Sequence, residues 1–138
     1  MKIQLLNFGL PEKWLPSRKH YNDAGADVYA QQGYMLRPGE TLKIPLGFGI
    51  KLPDGYMGLI YPRSSQAAQE IDMPLPPIDS GYTGEVHAIL TNHNQETPLV
   101  INEGDRIGQL VIMPITLVDF VSELGNERGA GGFGSTGA

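Results

Sequence analysis

Proline and glycine interrupt this chain at short intervals throughout, 11 Pro and 18 Gly in 138 residues. Proline fixes φ and removes a backbone donor, and glycine weakens the interior of helix or strand. Only short elements fit between such breaks. The runs left over are rich in Val, Ile, Leu and Tyr: 2–6, 27–29, 41–44, 48–52, 58–61, 85–90, 99–101, 106–113 and 116–121. Many alternate apolar with polar residues, as in Glu85-Val86-His87-Ala88-Ile89-Leu90, the period of a half-buried strand. Pro38-Gly39, Asp54-Gly55 and Glu103-Gly104 read as turns. An all-β sandwich or barrel is the expected fold class. One helix is expected, over 65–71, capped by Ser64 or Ser65.

The length suits one domain, since domains typically run ~100–150 residues. Apolar residues make up 41% of the chain, enough for a core, and no apolar run reaches the ~20 residues of a membrane-spanning helix. Asn7 and Pro11 come too early for a signal-peptide core. Zero Cys excludes disulfides, thiolate zinc sites and a thiol nucleophile. A net charge of −5 and a pI near 5.0 argue against a general nucleic-acid binder. The expectation is a small acidic domain of the cytoplasm, with neither membrane nor nucleic acid as partner.

Several constellations carry polar chemistry. Tyr61-Pro62-Arg63-Ser64-Ser65 places a guanidinium and hydroxyls before the expected helix, a set that suits phosphate or simply caps a helix. In Ile78-Asp79-Ser80-Gly81-Tyr82-Thr83-Gly84 a carboxylate precedes a tyrosine by three residues. It reads as an Asx-type turn or as a general base for water with an aromatic platform beside it. Gln109 is a polar residue within an apolar strand and needs partners if buried. Asp105 and Arg106 read as a local ion pair. Asp23 and Asp27 flank Gly25, which makes either a solvated turn or ligands for Mg²⁺. His20, His87 and His93 have no zinc-site spacing, and neither a Walker phosphate loop nor a GxSxG elbow is present.

The last fourteen residues, Gly125 to Ala138, hold six glycines and few apolar side chains. Composition alone makes this a frayed tail. Arg128, Phe133, Ser135 and Thr136 also suit a flap closing over an anionic ligand.

Taken in order, Ala24-Gly25-Ala26-Asp27-Val28, Pro62-Arg63-Ser64-Ser65, Ile78 to Gly84, Gly104-Asp105-Arg106-Ile107-Gly108-Gln109-Leu110 and Arg128 to Gly137 resemble the five signature motifs of trimeric dUTPases. The resemblance runs from Ala24 to Gly137 and replaces the frayed-tail reading with a flap. It implies a jelly-roll-like β subunit spanning 1–124 with a flap at 125–138. It also implies a homotrimer whose active sites are shared between chains, acting on dUTP with Mg²⁺ to give dUMP and pyrophosphate. By motif position, Asp79 would activate the water that attacks the α-phosphorus, and Tyr82 would pack on the deoxyribose. Arg63, Ser64 and Gln109 would bind phosphate oxygens, and Ser65 and Ile78 would also contact substrate. Asp27 would hold hydrated Mg²⁺ through water. Arg128, Ser135 and Thr136 would grip the γ-phosphate while Phe133 stacks on the base, and Gly134 would also contact substrate. Asp105 and Arg106 would be structural.

One segment departs from the family pattern, which places a Gly-Asn-x-x-Gly-x-Ile-Asp hairpin before the aspartate. Here Asp72-Met73-Pro74-Leu75-Pro76-Pro77-Ile78-Asp79 is a few residues shorter, with Met73 and Pro76 at the Asn and Gly positions. Three prolines remove three N–H donors, so uracil recognition is rearranged or base selectivity relaxed. Two rival readings are a deaminase of dCTP, whose catalytic Glu would fall at Ile89, and a non-catalytic nucleotide-binding trimer on the same fold.

Overall fold

The computed structural model describes residues 1–125. Its elements are short, as the Pro and Gly spacing requires. β1 is Gln4–Asn7, β2 Ala26–Tyr29, β3 Tyr34–Leu36, β4 Thr41–Pro45, β5 Phe48–Lys51 and β6 Tyr56–Tyr61. The single α-helix, α1, is Ser64–Ala68, and β7 Ile71–Asp72, β8 His87–Asn92, β9 Leu99–Ile101 and β10 Arg106–Pro114 follow it. All pairings are antiparallel, in four small sheets ordered β1-β5, β2-β10-β6, β3-β9 and β4-β8-β7. These sheets wrap a common core in a jelly-roll-like, all-β arrangement. The three expected turns form, with Gly39, Gly55 and Gly104 at φ of 80°, 87° and 85°.

Alternation decides which side chains reach the core. Along β8, Ala88, Leu90 and Asn92 are buried, while His87, Ile89 and Thr91 face outward and are half-buried. Val28, Leu36, Ile44, Leu46, Phe48, Ile50, Leu90 and Ile107 fill the centre. Asn92 sits among them and is only 1% exposed. Its Nδ2 donates to the Leu36 and Thr97 carbonyls, and its Oδ1 accepts from the Asn94 N–H. With both N–H hydrogens and the oxygen partnered, a buried amide is tolerated.

Three expectations need correction, and one strand was not anticipated. The helix covers 64–68 rather than 65–71, because Glu70 turns to φ 61° and Ile71 and Asp72 join β8 as a strand. Its N-cap is Arg63 instead of either serine, with the Gln66 side chain accepting from the Arg63 N–H at 2.7 Å. Residues 116–121 form no strand: after the Ile115 N–H meets the Gly55 carbonyl, no strand among the described residues pairs with them. β3 escaped the sequence reading because three residues between glycine and proline carry too little pattern.

Candidate active site

β10 brings the first group of site residues together. A strand alternates faces, so Arg106 and Gln109, three apart, should point in opposite directions. A bulge between Arg106 and Gly108 cancels that: Arg106 pairs with Tyr29, and Gln109 pairs with Asp27. The inserted residue, Ile107, drops into the core, and both polar side chains emerge on the face that carries Asp27. Arg106 Nη1 then lies 3.6 Å from Asp27 Oδ2, and Arg63 Nε lies 4.0 Å from Asp27 Oδ1. Gln109 Nε2 donates to the Pro62 carbonyl at 3.0 Å. Arg63 Nη1 reaches the Arg106 carbonyl at 3.4 Å. Ser64 and Ser65 stand exposed at the start of α1.

Two sequence readings change here. Arg106 pairs with Asp27 instead of its neighbour Asp105, whose carboxylate accepts from the Asn102 N–H and closes the turn. Asp23 accepts from the His20 N–H while Asp27 faces the two guanidiniums, so these carboxylates serve separate sites.

The second group lines a cavity of about 290 Å³. Its wall includes Ile78, Asp79 and Tyr82, with Pro74, Pro76, Pro77, Lys43, His87 and Ile89 around them. Ile78 is fixed by reciprocal backbone bonds with Gly58, 2.7 and 3.0 Å, which anchor the proline-rich segment to β6. A backbone turn follows, from the Tyr82 N–H to the Asp79 carbonyl at 3.0 Å, leaving the Asp79 carboxylate exposed. Tyr82 donates its hydroxyl hydrogen to the Glu85 carbonyl at 2.6 Å, and its ring lies where any Cβ on Gly84 would be. Met73 is buried, with its terminal methyl beside Gly108. Arg63, Ser64, Ser65, Gln109 and Asp27 are not in this cavity wall. Arg128, Phe133, Gly134, Ser135 and Thr136 lie outside the described residues.

Comparison with known proteins places the chain in a family. A family model described as dUTPase matches residues 12–137. The chain belongs to the dUTPase family. It is 41% identical over 142 residues to the deoxyuridine 5'-triphosphate nucleotidohydrolase of Nocardia farcinica, covering 98% of this chain and 84% of that protein. The Corynebacterium glutamicum protein of the same name is 43% identical over 144 residues, covering 99% and 94%. Among solved structures, the dUTPase of phage phi11 of S. aureus, a variant described as coordinating a structural Mg(II) ion, superposes with a TM-score of 0.78. It is 25% identical and covers 91% of this chain and 100% of that one. A Staphylococcus phage 80alpha dUTPase variant with dUpNHpp gives a TM-score of 0.76 at 26% identity, covering 99% of each chain.

Two residues support the Arg63, Asp27 and Gln109 group in ways the sequence does not reveal. Gln66 is buried and bonds the Arg63 N–H and the Ile107 carbonyl, both at 2.7 Å, so it ties α1 to the bulge. Gly25 is the other: a Cβ there would fall 2.8 Å from the Gln109 Cβ and overlap its amide. For Mg²⁺, the described residues hold no group of three or more His, Asp or Glu able to cage an ion. Asp27 is the carboxylate of this face, and its charge is already shared by the Arg63 and Arg106 guanidiniums; Mg²⁺ commonly takes one or two carboxylates together with phosphates and waters.

Proposed function

We propose that this dUTPase-family chain hydrolyses dUTP to dUMP and pyrophosphate. The observation that carries the reading is the convergence of Ile78, Asp79 and Tyr82 on one cavity, whose volume is at the low end for ligand pockets. Tyr82, its ring held by the hydroxyl bond to Glu85, offers a fixed face for the deoxyribose. Asp79, exposed at the cavity rim, accepts a proton from the water that attacks the α-phosphorus. Such a base needs only hydrogen-bond reach to the water. Arg63, Ser64, Ser65 and Gln109 donate to phosphate oxygens, and Arg106 holds Asp27 in place. When bound, Mg²⁺ neutralises phosphate charge; Asp27 would hold it through a coordinated water. Positioning and charge stabilisation are the main demands of phosphoryl chemistry, so scattered donors suffice.

The absence of the phosphate-binding set from the cavity wall supports a homotrimer in which neighbouring chains complete each site. So does the apolar surface of 117–124, where Leu117 is 68% and Phe120 93% exposed in the single chain. In this arrangement residues 125–138 form the flap, with Arg128, Gly134, Ser135 and Thr136 on the γ-phosphate and Phe133 on the base. A cytoplasmic location goes with this reading; no helix of the described residues is long and apolar enough to cross a membrane. At the position where the resemblance would put a deaminase's glutamate, Ile89 has no group to move a proton.

A pyrophosphate-release assay with dUTP, dCTP, dTTP and UTP in Mg²⁺ tests the proposal. Release from dUTP is expected, and release from none of them would overturn it. Asp79→Asn should cut kcat by about 10²–10⁴-fold while dUTP still binds.

A further inference from the structure

The cavity that holds Asp79 and Tyr82 is short of backbone groups able to read a base. Pro74, Pro76 and Pro77 in its wall have no N–H. The Ile78 and Val86 N–H groups are spent on the Gly58 and Phe48 carbonyls, at 2.7 and 2.8 Å. The Tyr82 hydroxyl donates to the Glu85 carbonyl, and the Glu85 carboxylate accepts from the Gly47 N–H. Lys43 and His87 remain beside Asp79 as polar side chains of the wall. They come from adjacent strands: Lys43 pairs with Ile89 and Pro45 with His87, so all four side chains share one face of the β4-β8 ladder.

The tautomer of His87 follows from its neighbour. Its Nδ1 lies 3.1 Å from the Glu85 carbonyl oxygen, which can only accept. Nδ1 therefore carries a hydrogen, and in the tautomer that places the hydrogen there Nε2 is a bare acceptor. Lys43 supplies donors only. An acceptor beside a donor complements the N3–H and adjoining carbonyl of uracil. Cytosine presents the reverse, a ring lone pair beside an amino group.

We propose that His87 is a specificity-determining residue, its Nε2 accepting the uracil N3–H while Lys43 donates to the neighbouring carbonyl oxygen. This rests on the reading of the cavity as the nucleoside site of a dUTP hydrolase. Lys43 takes over the role of the missing backbone donors, and together with the His87 acceptor it separates uracil from cytosine. Thymine offers the same edge as uracil, so rejection of its methyl falls to the shape of the cavity.

The test compares kcat/KM for dUTP and dCTP under one set of buffer conditions. In His87→Phe the ratio should fall about tenfold or more, with the loss for dUTP appearing in KM, since a buried polar edge is left unpaired. His87→Gln, which can offer an amide oxygen, should recover part of that loss. An unchanged ratio in folded His87→Phe overturns the proposal. A second measurement needs no variant: the ¹⁵N resonance of Nε2 in the wild-type chain should shift on saturation with dUMP and not with dCMP. An Nε2 signal unmoved by dUMP also overturns it. Failure of the parent reading looks different, because the wild type would then release no pyrophosphate from dUTP.

Discussion

Gly25 shows how much a missing side chain can decide at the scale of one residue. Its bare Cα leaves the space that the Gln109 amide occupies, and Gln109 in turn donates to the Pro62 carbonyl just ahead of Arg63. A methyl group there must expel the amide or shift β2. Gly25→Ala should therefore lower stability by about 1–3 kcal/mol, the usual cost of overpacking, and reduce pyrophosphate release. Thermal unfolding and the release assay check this, and unchanged values in both would show that Gln109 moves without consequence. The polar Gln109 was legible as an oddity in an apolar strand. The reason for Gly25 was not, because the group it makes room for lies on a strand far along the chain. Asn92 was likewise illegible. Its sequence neighbours give no sign that Leu36 and Thr97 will offer carbonyls to it in the core.

Elements this short owe their stability to what they touch. A five-residue helix is far below the ~12–15 residues at which isolated helices become marginal in water. α1 is held by Gln66, which joins the Arg63 N–H on one side and the Ile107 carbonyl at the β10 bulge on the other. Gln66→Ala should cost about 1–3 kcal/mol by leaving both groups unpaired. Its effect on dUTP turnover should exceed that on folding, because Arg63 loses its anchor. Denaturant unfolding alongside KM for dUTP measures the two, and a KM unchanged in the folded variant would refute the positioning role. The alternation in β8 was plain from sequence, and so were the turns around β4 to β6. The bulge in β10 was not, since Arg106-Ile107-Gly108-Gln109 reads as an unbroken strand until β2 is set beside it. The failed strand at 116–121 has the converse cause: apolar content invites a strand, but a ladder needs a partner.

Across the whole molecule, the features of the candidate site divide between the cavity of Asp79 and the Asp27 face of β2 and β10. If neighbouring chains complete each site, two inactive variants should rescue each other. Refolding a mixture of Asp79→Asn and Arg63→Ala chains should restore pyrophosphate release that neither has alone. Mixed trimers without recovered activity would argue for sites built within one chain. The net charge of −5 does not oppose an anionic substrate, because the Arg63 and Arg106 guanidiniums act locally while carboxylates beyond ~8–10 Å are screened. The sequence by itself determined the short all-β elements, the turns and the residues able to do phosphate chemistry. Each of these follows from a residue's own backbone preference, its near neighbours or the order of motifs. Only the tertiary structure decided that Arg106 meets Asp27, that Asn92 is buried, and that His87 faces the same cavity as Asp79. Those outcomes depend on strand register across long separations in sequence, and register is set by the summed burial of the core.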